Sequence, residues 1–323
     1  MRSLGRRAVL TLVAGVPVSA AFLWLAVRDA DLGSVSGALQ DAHLLDVALA
    51  VVAMGAVYAL QAARWRRVAN TPAVPLARFY ELVVSGVACN NVLPARLGDL
   101  LRARWLAREA KIQSGRGLAT VVLDRACDVV ALLVLLLVGL AAVASAGWLV
   151  TIALGAAALI VVVAAALVFA RLYTGRWARE RRERGLLRRV ARDAAEALAE
   201  PIGRRRLADC LVLSLAAWVV WAVAAELVAR AVGVDLGLLE AMFVAAVVNL
   251  GVAIPSSPGF VGTYEWLGVA SLRLLDVDAD DALAFSILLH AIWFVPTTLL
   301  GGAALAVRGA ARVRRGREMV RVS

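Results

Sequence analysis

Six runs of mostly apolar residues, at 8–27, 44–63, 118–144, 148–170, 211–229 and 282–307, are long enough to cross about 30 Å of hydrocarbon as α-helices rising about 1.5 Å per residue. Two further apolar segments, 79–93 and 241–254, are shorter, and each runs into a loop that mixes Pro and Gly with polar side chains. The first loop reads Asn90-Asn91-Val-Leu-Pro94-Ala-Arg96-Leu-Gly98-Asp99, and the second Pro255-Ser-Ser-Pro258-Gly259-Phe-Val-Gly262-Thr-Tyr-Glu265. Non-helical backbone at membrane depth is tolerated only where protein buries it or where it lines a wet cavity. The pattern therefore predicts an all-α, polytopic helical membrane protein with six full spans and two re-entrant or broken segments. Eight ordinary spans, two of them kinked at proline, are the alternative.

Charge placement orients these spans, because Arg and Lys in short loops favour the cytoplasmic side. Arg2, Arg6 and Arg7 put the N-terminus inside, and the first run is too long for a secretory signal, so it reads as a retained anchor. The loop with Asp29, Asp31 and Asp41 lies outside, and Arg64, Arg66, Arg67 and Arg78 return the chain to the cytoplasm. Arginines precede and follow the segment 79–93, which therefore enters and leaves from the inside. Acids flank the segment 241–254, at Asp235, Glu240, Asp276, Asp278, Asp280 and Asp281, so it enters from the outside; the arginines from Arg308 onward place the C-terminus inside. One transmembrane domain then contains two halves, about 8–146 and 147–307, each with three crossings and one re-entrant element. That arrangement is an inverted repeat, with a substrate site expected near the midplane where the broken segments meet.

Composition agrees with this picture: 62% of the 323 residues are hydrophobic and the mean hydropathy is +0.82, which excludes a soluble domain. The formal net charge of +11 follows from positive-inside topology, and Lys111 is the only lysine among cations that are otherwise arginines. The stretch 171–208 reads as a cytoplasmic, Arg-rich amphipathic segment on an anionic leaflet. With Trp177 alone among its cations, it lacks the aromatic platforms of a nucleic-acid binder. Cys89, Cys127 and Cys210 have no CxxC or zinc spacing and read as small apolar residues; His43 and His290 are isolated, and His290, in the last span, reads as a packing residue with titration or headgroup contact as the alternative. No metal or cofactor motif is present.

Charged residues inside spans are costly unless paired or hydrated, which singles out Asp124, Arg125 and Asp128. Asp124 and Asp128 share a helix face at i,i+4, so one cation, Arg125 or another arginine, can neutralise both. A structural ion pair joining helices is the competing role. Around the first loop, Asn90 and Asn91 supply amides while Arg96, Asp99 and Arg102 form a second cluster suited to bidentate contact with phosphate. In the second loop Gly259 and Gly262 let backbone approach a ligand, and Glu265 can pair with an arginine from the other half; Glu226 is a further candidate partner. Pro94, Gly98, Pro255, Pro258, Gly259 and Gly262 are the candidate hinge positions, and Ser256 and Ser257 are either headgroup contacts or helix caps.

The runs Pro94-Ala-Arg96-Leu-Gly98-Asp99-Leu-Leu-Arg102, Asp124-Arg125-Ala-Cys-Asp128 and Pro255 to Glu265 resemble three signature stretches of the lysylphosphatidylglycerol synthase transmembrane, or flippase-like, family. The resemblance covers nearly the whole chain; family members usually carry Glu where this chain has Asp99 and Asp124. It implies a helical membrane domain moving an amphipathic lipid between leaflets, with synthesis assigned to a separate soluble domain that this sequence does not display. A bacterial inner-membrane translocator of anionic or aminoacylated phospholipids, or of isoprenoid-linked lipids, is thus expected. It would work alone, as a homodimer or with a partner synthase, and without nucleic acid.

In that scheme Arg96 and Arg102 bind phosphate, and Asp99, Asp124, Asp128 and Glu265 balance them or meet a cationic headgroup. No Gly-x4-Gly-Lys-Ser/Thr sequence occurs, so energy would come from a gradient or a partner, or movement would be passive. The rivals are a membrane-embedded lipid-modifying enzyme and a small-solute transporter. Neither HExxH nor GxSxG is present, and the expectation is a non-enzyme.

Overall fold

Two hairpins of short helices give the molecule its architecture. In the computed structural model, described for residues 16–93, 96–140, 143, 155, 186–200, 202–254 and 256–322, the first hairpin is α4 (Leu76–Val92) followed by α5 (Leu97–Glu109). The second is α9 (Leu238–Gly251) followed, after a 3-10 turn at Pro258–Phe260, by α10 (Thr263–Arg273). At 17, 13, 14 and 11 residues these helices measure about 26, 20, 21 and 17 Å, so none alone spans about 30 Å of hydrocarbon. The chain also forms α1 (Val16–Val27), α2 (Leu32–Gln40), α3 (Leu44–Ala69), α6 (Ser114–Gly139), α7 (Leu186–Ala199), α8 (Arg204–Ala231) and α11 (Ala279–Val322). No strand occurs among the described residues.

Local chemistry explains the breaks. Leu93, which precedes Pro94, is extended (φ −97°, ψ 140°), as a residue before proline must be to avoid its ring, so α4 stops there. Gly262 takes φ +85°, open to glycine, and its N–H donates to the Glu265 carboxylate at 2.6 Å, which starts α10. Each broken segment folds back on itself. A Cβ on Gly98 would run into the carbonyl oxygen of Gly86, so α4 and α5 cross with backbones touching.

By length and composition three described helices can cross a membrane: α3, α8 and the 279–310 part of α11. The expected span at 118–144 corresponds to α6, which has the length, at 26 residues, but carries Asp124, Arg125 and Asp128 in its apolar stretch. The expected span at 148–170 lies outside the described residues, apart from Gly155, as do Pro94 and Pro255 and the part of the Arg-rich segment before Leu186. Of the first run, 16–27 is described and is helical.

The packing is reciprocal. α3 lies along α8, while α6 packs on α9 of the second hairpin and α11 packs on α4 of the first. Both of the latter contacts close over a glycine: Gly139 of α6 sits on the backbone of Phe243, and Gly301 of α11 sits on Val84 and Ala88. One apolar core joins α3, α6, α8, α9, α10 and α11; a second, around Trp65, Phe79, Leu82 and Leu106, ties α3 to the first hairpin. Polar contacts mark two ends. Asp31 caps α2, where the Gly33 N–H and the Ser34 hydroxyl hold its carboxyl below the usual range, and its own N–H donates to Asp280 at 2.8 Å. At the other end Arg308 bridges Glu81 (2.5 Å) and Glu109 (2.9 Å), and Arg78 bonds Glu109 at 2.7 Å.

Adjacent glycines of α11 should respond in opposite directions. Gly301→Ala drives a methyl into the Val84 carbonyl and should cost about 1–3 kcal/mol, whereas the Cβ position of Gly302 meets nothing within 4 Å, and Gly302→Ala should be neutral or stabilising by up to about 1 kcal/mol. Thermal denaturation of the purified variants in detergent reads the difference.

Candidate functional site: a charge network beside an aromatic cavity

Arg64, near the end of α3, is 1% exposed and surrounded by carboxylates. Its Nε donates to Asp124 Oδ1 at 2.7 Å, and its Nη1 donates to Asp128 Oδ1 at 2.5 Å and to Ser214 Oγ at 2.9 Å. The i,i+4 spacing of the two aspartates on α6 presents both to one guanidinium, as their shared helix face requires. The Trp218 indole N–H is a second donor to Asp128 Oδ1, at 2.9 Å. This arrangement corrects the sequence reading of Arg64, which grouped it with the cytoplasmic flank: Arg67, one turn on, does lie exposed, but Arg64 faces inward between α6 and α8.

Two more arginines extend the network. Arg102 of α5 is buried, pairs with Asp99 (3.1 Å) and Asp124 (3.2 Å), and stacks over Trp65 at 4.8 Å. Arg125 donates through Nη2 to Asp99 Oδ1 at 2.9 Å and reaches Asp128 at 3.4 Å; with 41% of its side chain exposed, it is the arginine of the three that faces open space. Three guanidinium and three carboxylate groups cancel. Buried charges are tolerated on that condition, since an unpaired ion in a low-dielectric interior carries a penalty of several kcal/mol.

The open space is a cavity of about 260 Å³. Of the residues singled out from sequence, Asn90, Asn91, Arg96, Asp99, Arg125 and Asp128 line it, together with Asn249 and the rings of Tyr58, Trp218, Trp221, Phe260 and Trp293. Arg102, Asp124 and Glu265 do not. Arg102 is thereby removed from direct contact with a ligand in the cavity: burial against two aspartates makes it a counter-ion. Among the described residues Glu265 meets no arginine; it accepts from the Gly262 N–H and contacts His290 Nδ1 at 2.5 Å. Glu226 has no ion-pair partner among the described residues.

Arg96 stands apart from the network. Its Nη2 donates to the Val252 carbonyl at 2.7 Å, its guanidinium lies 5.5 Å over the Phe260 ring, and among the described residues no carboxylate is within ion-pair distance of it. Both contacts come from the opposite hairpin. Arg96 and Phe260 also share a backbone property: each is a non-glycine residue in the left-handed region, at φ 51° and 61°. Such conformations cost on the order of 1 kcal/mol or more and persist where surroundings enforce them. The amide oxygens of Asn90 and Asn91 are buried without a hydrogen-bond partner, although Asn91 Nδ2 donates to Thr298 at 2.8 Å.

The model of the lysylphosphatidylglycerol synthase TM region matches residues 12–301. The chain belongs to this family. Among curated proteins none matches it. As a member of the lysylphosphatidylglycerol synthase TM family with apolar helices of membrane-spanning length, it is an all-α, polytopic membrane protein tied to lipid metabolism or translocation. The family stretches recognised in the sequence contribute Arg96, Asp99, Arg125 and Asp128 to the charged lining of the cavity and Phe260 to its aromatic lining. The sequence reading missed Arg64, Trp218 and Trp293. A signal for Arg64 existed: two carboxylates one turn apart within a span require a cation, and no arginine on α6 other than Arg125 is near enough to serve both.

Removing Arg64 should leave two buried aspartates short of their cation. Arg64→Ala is expected to lose about 3–5 kcal/mol, while Arg67→Ala, whose pair with Asp209 is exposed, should lose less than about 1 kcal/mol. Melting temperatures and monodispersity on size exclusion measure both.

Proposed function

We propose that the chain moves a phosphate-bearing lipid headgroup between leaflets of a bacterial inner membrane, using the cavity between the two hairpins as a polar way-station while the acyl chains stay in lipid. The observation that carries the proposal is Arg96: a guanidinium at the cavity wall, held by a carbonyl and a ring from the opposite hairpin, beside a charge network that is already neutral. A planar fork of N–H donors suits phosphate oxygens, and Asn90, Asn91 and Asn249 supply amides around it. The volume, about 260 Å³, lies just below the roughly 300–1,000 Å³ of drug-sized ligand sites, which suits a headgroup rather than a whole lipid. The aromatic lining covers glycerol or the methylenes of a headgroup without adding charge.

The reciprocal packing of α6 on α9 and of α11 on α4 supports an inverted repeat of two halves, with about 8–146 and 147–307 as its units. Exchange between two such arrangements is a route to alternating access. The same reading makes the chain multi-pass with both termini in the cytoplasm and assigns it no chemical catalysis. The enzyme alternative is disfavoured by one geometric fact: Asp124 and Asp128, the paired carboxylates that would serve it, are both engaged by Arg64.

The test is leaflet exchange of fluorescent phosphatidylglycerol and its lysyl ester in liposomes holding the purified protein. Wild type should accelerate exchange; Arg96→Ala should cut the rate at least about tenfold, consistent with loss of a charge-assisted contact of about 1.5–3 kcal/mol, and Arg96→Lys should retain part of it. Equal rates for wild type and folded Arg96→Ala would reject phosphate recognition at Arg96.

A further inference from the structure

We propose that Glu265 and His290 form a proton-binding site whose occupancy sets the loop that covers Arg96, so that proton and headgroup binding are coupled. The coupling half rests on the function proposed above; the proton site itself does not. His290 Nε2 lies 2.9 Å from the carbonyl oxygen of Gly259, which has no hydrogen to give, so Nε2 carries a proton and donates it. Its Nδ1 lies 2.5 Å from Glu265 Oε1. An imidazole lone pair and a carboxylate oxygen cannot approach so closely without a hydrogen between them. The pair therefore holds one proton beyond neutral imidazole and free carboxylate, whichever atom it sits on, and the structure shows the loaded form.

Loss of that proton would set a lone pair against a carboxylate in a site where both side chains are at least nine-tenths buried. The contact must then open, and opening it disturbs both of the holds that these side chains have on the loop. His290 grips the loop at the Gly259 carbonyl and Glu265 grips it at the Gly262 N–H, and both glycines are at positive φ. Between them stands Phe260, the ring over Arg96. The path from proton to Arg96 is thus three contacts long and runs through a single short loop.

Among the described residues the surroundings contain no competing ion. Tyr264 of α10 stacks on His290 at 4.5 Å, Trp293 and Phe294 of α11 pack against it, Tyr58 of α3 faces Tyr264, and α1 brings Ser19 and Leu23 against Gly262. Arg96 lies beyond Phe260, and Arg125 of α6 lies on the cavity wall beyond Tyr58. Among the described residues no arginine or second carboxylate is within ion-pair distance of either partner, so the proton between them is the charge that can change.

Trp293, stacked 5.7 Å from His290, reports the charge, because an imidazolium quenches indole emission. Emission of the purified protein is titrated with pH, with and without sn-glycerol 3-phosphate as a soluble headgroup probe, whose affinity is measured in parallel by calorimetry. Wild type should show a transition that Trp293→Phe and His290→Gln abolish. Saturating probe should raise its midpoint by about one pH unit, and probe affinity should fall about tenfold above the midpoint, a typical coupling between two sites. Glu265→Gln can keep the Gly262 bond through its oxygen and donate to Nδ1 through its amide, mimicking the loaded form. It should lose the transition and hold the low-pH affinity at every pH, which a merely structural role would not produce. Absence of a His290-dependent transition in folded wild type overturns the proposal whatever the probe does. A transition with pH-independent probe affinity overturns the coupling. A transition without any probe binding supports the proton site and counts against phosphate recognition at Arg96.

Discussion

The contact on which the structure depends is the grip of Arg64 on Asp124 and Asp128. Three helices meet there, since Ser214 and Trp218 of α8 bind the same guanidinium and carboxylate. Each of these ions alone would be costly in hydrocarbon, and together they bring α3, α6 and α8 into one register. Asp124 then receives Arg102, Asp128 receives Arg125, and Asp99 ties those two arginines to the start of α5. The position of the first hairpin is therefore set by charge as much as by the backbone contact of Gly86 with Gly98. Because the network closes on itself, Arg96 is left as a surplus cation at the cavity wall.

The second hairpin reaches the same place by different means. Its first helix ends near Asn249 as the first helix of the other ends near Asn90, and an acid stands third in the helix that follows each break, Asp99 in α5 and Glu265 in α10. Asp99 faces an arginine of α6; Glu265 faces a histidine of α11. The first hairpin is thus tied by carboxylate–guanidinium pairs and the second by a carboxylate–imidazole contact. The left-handed residues Arg96 and Phe260, one at the tip of each hairpin, touch where the two arrangements meet.

Much of this was legible in the sequence because the signals are strong and local. Pro94 stops α4, Gly262 starts α10, and runs of apolar residues longer than 20 admit few folds besides a membrane helix. The polar loops stood out because apolar sequence surrounds them. Arg64 was not legible in the same way: it directly follows Ala63 at the end of an apolar run and is soon followed by half-buried Arg66 and exposed Arg67, so its context is that of a flank, and only the inward face of α3 distinguishes it. His290 stood out as a histidine within a span, but its partners did not. An isolated histidine carries no motif, and its partners at Gly259 and Glu265 are distant in sequence, joined to it only when α10 folds against α11. Glu265 was recognised as an acid in need of a partner but was matched to the wrong kind of cation, since arginine is the default in this composition.

The central claim is that the buried network is self-neutralised and that Arg96 is the cation left for an anion. An experimental structure of the protein in nanodiscs of phosphatidylglycerol tests it directly. Phosphate density within hydrogen-bond distance of the Arg96 guanidinium, with Arg64 still on Asp124 and Asp128, is the predicted result. Phosphate held by Arg64 or Arg102, or an aspartate drawn across to Arg96, would contradict it.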